Sequence, residues 1–183
     1  MMRTMVIGGT RSGKSTYAES LAKASGKQLI YVATSEAGDD EMMHRIVHHR
    51  ARRDAAWVTL EEPIALAAII EQHSTPDSVL LIDCLTVWLS NLLFSEAMAF
   101  PEIGIIEPPA IFHTQSNAFF QALAGARGDI VLVTNEVGQG VVPTGAISRW
   151  FVDESGRMNQ AVAALCDRVV LVTAGLPLTL KGG

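Results

Sequence analysis

The sequence has 183 residues, 49% hydrophobic and 18% charged, with a formal net charge of -5, which suits one domain burying a single core. That acidic balance speaks against general attraction to nucleic acid or anionic lipid. No uninterrupted apolar run approaches the ~18 residues needed to span a bilayer. Cys84 and Cys166 stand in apolar contexts, without the Cys-x-x-Cys or His spacing of a zinc site. They are expected as buried thiols in a reducing cytoplasm.

The first apolar run, Met5-Val6-Ile7, leads directly into Gly8-Gly9-Thr10-Arg11-Ser12-Gly13-Lys14-Ser15, and a helical pattern follows over Lys14–Ala24. The octet fits Gly-x-x-x-x-Gly-Lys-Ser/Thr in the strand-before, helix-after context that gives the motif its meaning. Glycines allow the backbone to curl into a ring of N–H groups at a helix N-terminus, which favours anions. Lys14 is expected to reach the β- and γ-phosphates of a nucleotide, and the Ser15 hydroxyl to hold Mg2+. Removing the first residues as an export leader would destroy this loop, so no leader is expected.

Four further segments read as buried strands: Gln28–Ala33, Ser78–Asp83, Asp129–Thr134 and Arg168–Thr173. Helical patterns lie near 40–55, 63–72, 85–96, 110–123 and 148–165. Phe100–Pro109, with three prolines, reads as a loop, and Leu176–Lys181 as a short antiparallel edge strand. Buried strands alternating with helices predict a single α/β domain over 1–183. It is of the P-loop NTPase type, RecA-like, with a mainly parallel sheet flanked by helices. Ligands gather beyond the carboxyl ends of such strands. There the second strand ends in Ala33-Thr34-Ser35, which either contacts nucleotide or caps a turn. Val79-Leu80-Leu81-Ile82-Asp83 resembles a Walker B strand, making Asp83 a candidate Mg2+ ligand beside Ser15.

The segment from Asp39 to Arg53 starts acidic and ends basic, as a helix dipole prefers. At ~100° per residue, Met42, Met43, Ile46 and Val47 form an apolar arc, with His49 at its edge and His48 nearly opposite. Arg45 and Arg53 lie one turn either side of His49. Two readings stay open on spacing alone. One is a solvated basic face; in the other, a neutral imidazole attacks phosphorus while arginines neutralise the developing charge.

Taken together, several motifs resemble one family over nearly the whole chain. They are the phosphate loop, Tyr31-Val32-Ala33-Thr34, Asp39-Asp40-Glu41-Met42, Arg45-Ile46-x-His48-His49-Arg50, Trp57 with Glu61-Glu62-Pro63, and Thr134-Asn135-Glu136-Val137-Gly138-x-Gly140-x-Val142-Pro143. Asp153-x-x-Gly156-Arg157-x-Asn159-Gln160 adds to the likeness. The resemblance is to the bifunctional adenosylcobinamide kinase/adenosylcobinamide-phosphate guanylyltransferases of cobalamin biosynthesis, with Thr10 where Ala is familiar.

That resemblance implies phosphorylation of adenosylcobinamide with ATP or GTP, followed by transfer of GMP from GTP through a covalent GMP-histidine. It places the histidine at His49, and lines the GTP site with Gly8 to Ser15, Ala33 to Ser35, Arg50, Ala51, Arg52, Arg53, Glu61 and Asp83. It also implies a homotrimer. The main alternative is a P-loop small-molecule kinase without guanylyl transfer, because the phosphate loop alone supports only phosphoryl transfer. A switch GTPase is disfavoured: Thr134-Asn135-Glu136-Val137 lacks the Lys and Asp of Asn-Lys-x-Asp. A nucleic-acid ATPase is disfavoured by charge and length.

Overall fold

The computed structural model describes residues 1–35 and 56–182. In chain order the elements are β1 Arg3–Gly8, α1 Lys14–Ala24, β2 Gln28–Ala33, β3 Trp57–Glu61, α2 Leu66–His73 and β4 Ser78–Asp83. Then come α3 Leu85–Leu93, α4 Ala110–Gly125, β5 Asp129–Asn135, α5 Ala146–Leu165, β6 Arg168–Thr173 and β7 Leu176–Lys181. The strands form one sheet in the order β3-β2-β4-β5-β1-β6-β7. Every pairing is parallel except that of β7 with β6.

The central strands are apolar on both faces because both faces are covered. On one face Met5, Ile7, Ile30, Leu80, Ile82, Ile130 and Leu132 pack under α2 to α5, where Trp88, Leu92, Phe119 and Val162 are fully buried. On the other, Val6, Tyr31, Leu81, Val131 and Val133 meet Ala18 and Ala22 of α1. Small alanines let that helix approach the sheet closely, bringing its N-terminus over the carboxyl ends of the strands.

All five anticipated parallel strands are present, and Leu176–Lys181 is the antiparallel edge. One strand escapes sequence reading. Trp57–Glu61 pairs with β2 at the opposite edge, but only Trp57 of its five residues is buried, so it carries no continuous apolar signature. Helix α2 starts at Leu66 rather than Pro63 because Glu62 Oε1 accepts the N–H groups of Ile64 and Ala65, making 63–65 a capping turn. The helix expected near 40–55 lies outside the described residues. Phe100–Pro109 is irregular, as expected, with Ile106 buried and Ile103 and Ile105 exposed.

Candidate nucleotide site

Strand register assembles the site. Glu61, Ala33, Asp83, Val133 and Val6 are successive cross-strand partners, one row across β3, β2, β4, β5 and β1. Two residues beyond Val6, Gly8 opens the phosphate loop. The octet and the carboxylate that sequence reading singled out therefore share one edge of the sheet.

The loop has the backbone that its glycines permit. Gly13 sits at φ 94°, and a Cβ there would meet the Gly175 Cα at 3.1 Å. Two residues earlier, Arg11 also adopts positive φ, at 56°. Ser12 N–H donates to the Gly9 carbonyl at 3.2 Å, and Gly175 N–H donates to the Ser12 carbonyl at 2.8 Å. The β6–β7 turn thus braces the loop from behind. Gly9, Thr10 and Arg11 are exposed, whereas Ser12 to Ser15 are half-buried at the start of α1. Lys14 Nζ donates to the Gly9 carbonyl at 3.2 Å, arching over the ring it is expected to serve.

Asp83 closes the other side. Tyr31 Oη donates to Asp83 Oδ2 at 3.2 Å, orienting the carboxylate from the neighbouring strand. The next residue, Cys84, reports on the local field. Burial first, and then the Asp83 carboxylate, push its thiol up to about 11, while the Lys14 ammonium pulls the other way. The loop lysine and the strand carboxylate act on one point.

The Ser15 hydroxyl and Asp83 carboxylate are hard oxygen donors. Two such donors suit Mg2+, which keeps several waters and takes its remaining ligands from phosphate. Among the described residues no group of three or more His, Cys, Asp or Glu converges into a cage.

Ala33, Thr34 and Ser35 reach the same edge, but Thr34 is committed inward. It is fully buried, its hydroxyl donates to the Cys84 carbonyl at 2.8 Å and accepts the Cys84 N–H at 2.8 Å. Its own N–H donates to the Asp83 carbonyl at 3.2 Å, and its carbonyl accepts Asn91 Nδ2 at 2.7 Å. Thr34 therefore clamps the turn after Asp83. Glu61 is exposed at the far end of the row. His49 and Arg50, Ala51, Arg52 and Arg53 lie outside the described residues, as do Arg45 and His48. The sequence placed Tyr31 within a motif but gave it no role at the site, although its position two residues before Ala33 puts it on the face of Asp83.

Fold and loop together define a RecA-like P-loop nucleotide-binding protein. Two solved structures share that fold: an ATPase from the type III secretion system of pathogenic bacteria (TM-score 0.56, 14% identity) and the assembled ATPase EscN of enteropathogenic E. coli (TM-score 0.54, 17% identity). They cover 97% and 94% of this chain, which spans only 56% and 43% of theirs, so the likeness concerns the fold alone.

Closer relatives narrow the class. A family model described as cobinamide kinase / cobinamide phosphate guanyltransferase matches residues 4–180. The bifunctional adenosylcobalamin biosynthesis protein CobP of Pseudomonas aeruginosa is 48% identical over 99% of this chain and 98% of its own. The similarly named CobU of Escherichia coli is 40% identical over 98% of this chain and all of its own. The chain belongs to the cobinamide kinase / cobinamide phosphate guanyltransferase family, and is an enzyme of both activities.

Proposed function

We propose that both activities use one triphosphate site, bounded by the phosphate loop and Asp83. In the first reaction a hydroxyl oxygen of adenosylcobinamide bonds to the γ-phosphorus of ATP or GTP. The bond to the β–γ bridging oxygen breaks, the nucleoside diphosphate leaves, and the hydroxyl proton passes to water. In the second, the neutral imidazole of His49 bonds to the α-phosphorus of GTP and pyrophosphate leaves. A phosphate oxygen of adenosylcobinamide phosphate then displaces the imidazole, giving adenosylcobinamide-GDP.

The observation that carries this reading is the single row of Glu61, Ala33, Asp83, Val133 and Val6 ending at the phosphate loop. Lys14 meets the β- and γ-phosphates, and the loop amides hold the anion. Ser15 and Asp83 would hold Mg2+, which supplies charge neutralisation when bound. Ser35, the last described residue before the segment carrying His49, leaves from the same edge. Arg50 to Arg53 are assigned to phosphate charge on their sequence position beside His49. Ala33, Thr34 and Glu61 complete the GTP side, Thr34 through the turn it clamps.

A homotrimer in the cytoplasm completes the proposal. No helix among the described residues is long and apolar enough to cross a membrane. Light scattering of the purified protein tests the trimer.

The chemistry is tested by incubating the protein without corrinoid and with GTP labelled at either α- or γ-phosphorus. Label is expected to be retained only from the α position, acid-labile and alkali-stable, in wild type and in His48→Ala but not in His49→Ala. Label surviving in His49→Ala overturns the nucleophile. Absence of label from wild type leaves a kinase using the same loop.

A further inference from the structure

Two motifs that the chemistry above leaves unused meet inside the protein. Thr134, at the end of β5, donates its hydroxyl to Asn159 Oδ1 at 2.8 Å, and Asn159, on α5, donates Nδ2 to the Asn135 carbonyl at 3.3 Å. On the other side Asn135 N–H donates to Thr86 Oγ1 at 2.8 Å. Because the Thr134 hydrogen is spent on Asn159, the 3.3 Å contact between Thr86 and Thr134 runs from Thr86 as donor. Thr86, Thr134 and Asn159 are all buried. Burying such groups is costly unless every partner is in place, so a satisfied cluster of this kind fixes one geometry.

What it fixes is a single residue. Both backbone polar groups of Asn135 are held, and the next N–H, of Glu136, donates to the Gly8 carbonyl at 3.1 Å. Asn135 is the cross-strand partner of Gly8, where the phosphate loop begins. Its half-buried carboxamide nevertheless makes no hydrogen bond among the described residues.

Strand alternation gives its direction. Val133 packs with Ala18 and Ala22 of α1, so Asn135, two residues on, projects from that same face. Asp83, partner of Val133, projects there too. Since β5 lies between β1 and β4, the carboxamide stands between the phosphate loop and Asp83. Glu136 is less available, because its Oε1 accepts the Gly138 N–H at 2.7 Å.

We propose that Asn135 is a further catalytic residue, its carboxamide N–H donating to an oxygen of the triphosphate, and that Asn159 and Thr86 are its positioning residues. This rests on the nucleotide-site reading above. As the γ-phosphorus leaves its bridging oxygen for the cobinamide hydroxyl, charge redistributes over the phosphate oxygens. A donor already locked in place stabilises it without reorganising.

The test measures GTP binding by equilibrium dialysis and cobinamide phosphorylation by steady-state kinetics on the same preparations. Wild type binding GTP, with Lys14→Ala failing to, establishes the site independently. Failure there sinks the site reading and this proposal with it. Given the site, Asn135→Ala is expected to lower kcat about a hundredfold with little change in KM for GTP, and Asn135→Asp to lower it further by facing the phosphates with a carboxylate. An Asn135→Ala kcat within about twofold of wild type, with GTP binding intact, overturns the catalytic role.

For positioning, Asn159→Ala is expected to slow the same step, and the Asn135→Ala/Asn159→Ala double variant to be no slower than Asn135→Ala alone. Multiplying losses mean that Asn159 acts only through general stability, and overturn its role. Should Asn159→Ala not fold, Thr86→Val is expected to lose kcat and Thr86→Ser, which keeps the hydroxyl, to regain it. Equal losses in both overturn positioning.

Discussion

Tyr31 and Asp83 meet across the β2–β4 pairing, the phenol hydroxyl donating to the carboxylate at 3.2 Å. Among the described residues no hydrogen bond engages the second carboxylate oxygen, and Asp83 lies at the sheet edge that carries the phosphate loop. Partners of this kind set how well a metal ligand is aimed. Tyr31→Phe is therefore expected to raise the Mg2+ concentration for half-maximal phosphorylation about tenfold while leaving the melting temperature within a few degrees. A Mg2+ titration of activity checks this, and an unchanged midpoint argues against Asp83 as the metal carboxylate.

Thr34 presents the opposite case, a residue at the site edge whose side chain is spent on structure. Thr34→Val keeps the shape but removes a hydroxyl that serves both the N–H and the carbonyl of Cys84. The Cys84 N–H loses its partner and the Cys84 carbonyl is left with the Trp88 N–H at 3.1 Å, so a loss of about 1–3 kcal/mol is expected in urea unfolding. The kcat for phosphorylation should fall with it, because the turn holding Asp83 loosens. Thr34→Ser, which retains the hydroxyl, should recover most of both.

Gly13→Ala should be more damaging than its size suggests. Its φ of 94° is strained for any L side chain, and the added methyl would press on the Gly175 Cα. We expect a destabilisation of about 1–2 kcal/mol by thermal unfolding and GTP binding weakened at least tenfold in equilibrium dialysis. Gly9→Ala, where a Cβ meets nothing within 4 Å, should fold with wild-type stability.

At the amino edge of the sheet, Asp129 accepts the Met2 N–H at 2.7 Å and pairs with Lys27 at 2.9 Å. Burial opposes its ionisation, but the Lys27 hydrogen bond, the Met2 N–H and the nearby positive charges outweigh burial and hold the carboxyl below its ordinary value. A depressed native pKa contributes stability above the unfolded value near 3.8, and that contribution is lost as pH falls through the native value. Asp129→Asn should accordingly be less stable than wild type at pH 7. The two unfolding curves should converge as the pH drops below about 4. A gap that persists undiminished at pH 2 would mean that packing, not charge, links β5 to the chain start.

The features legible from residue order are those that local chemistry specifies. Gly8 to Ser15 is a contiguous run of amides, so its purpose is written in eight successive positions. The central strands carry unbroken apolar runs because each is covered on both faces. The edge strand Trp57–Glu61 was not legible, since a strand with one buried residue leaves no such run. Nor were Tyr31 against Asp83, or Thr86 and Asn159 around Thr134: these pairs are separated by 52, 48 and 25 positions. Parallel register sets Tyr31 beside Asp83, and the packing of α3 and α5 against the end of β5 sets Thr86 and Asn159 beside Thr134. Directional bonds of about 3 Å depend on where the backbone has already been placed.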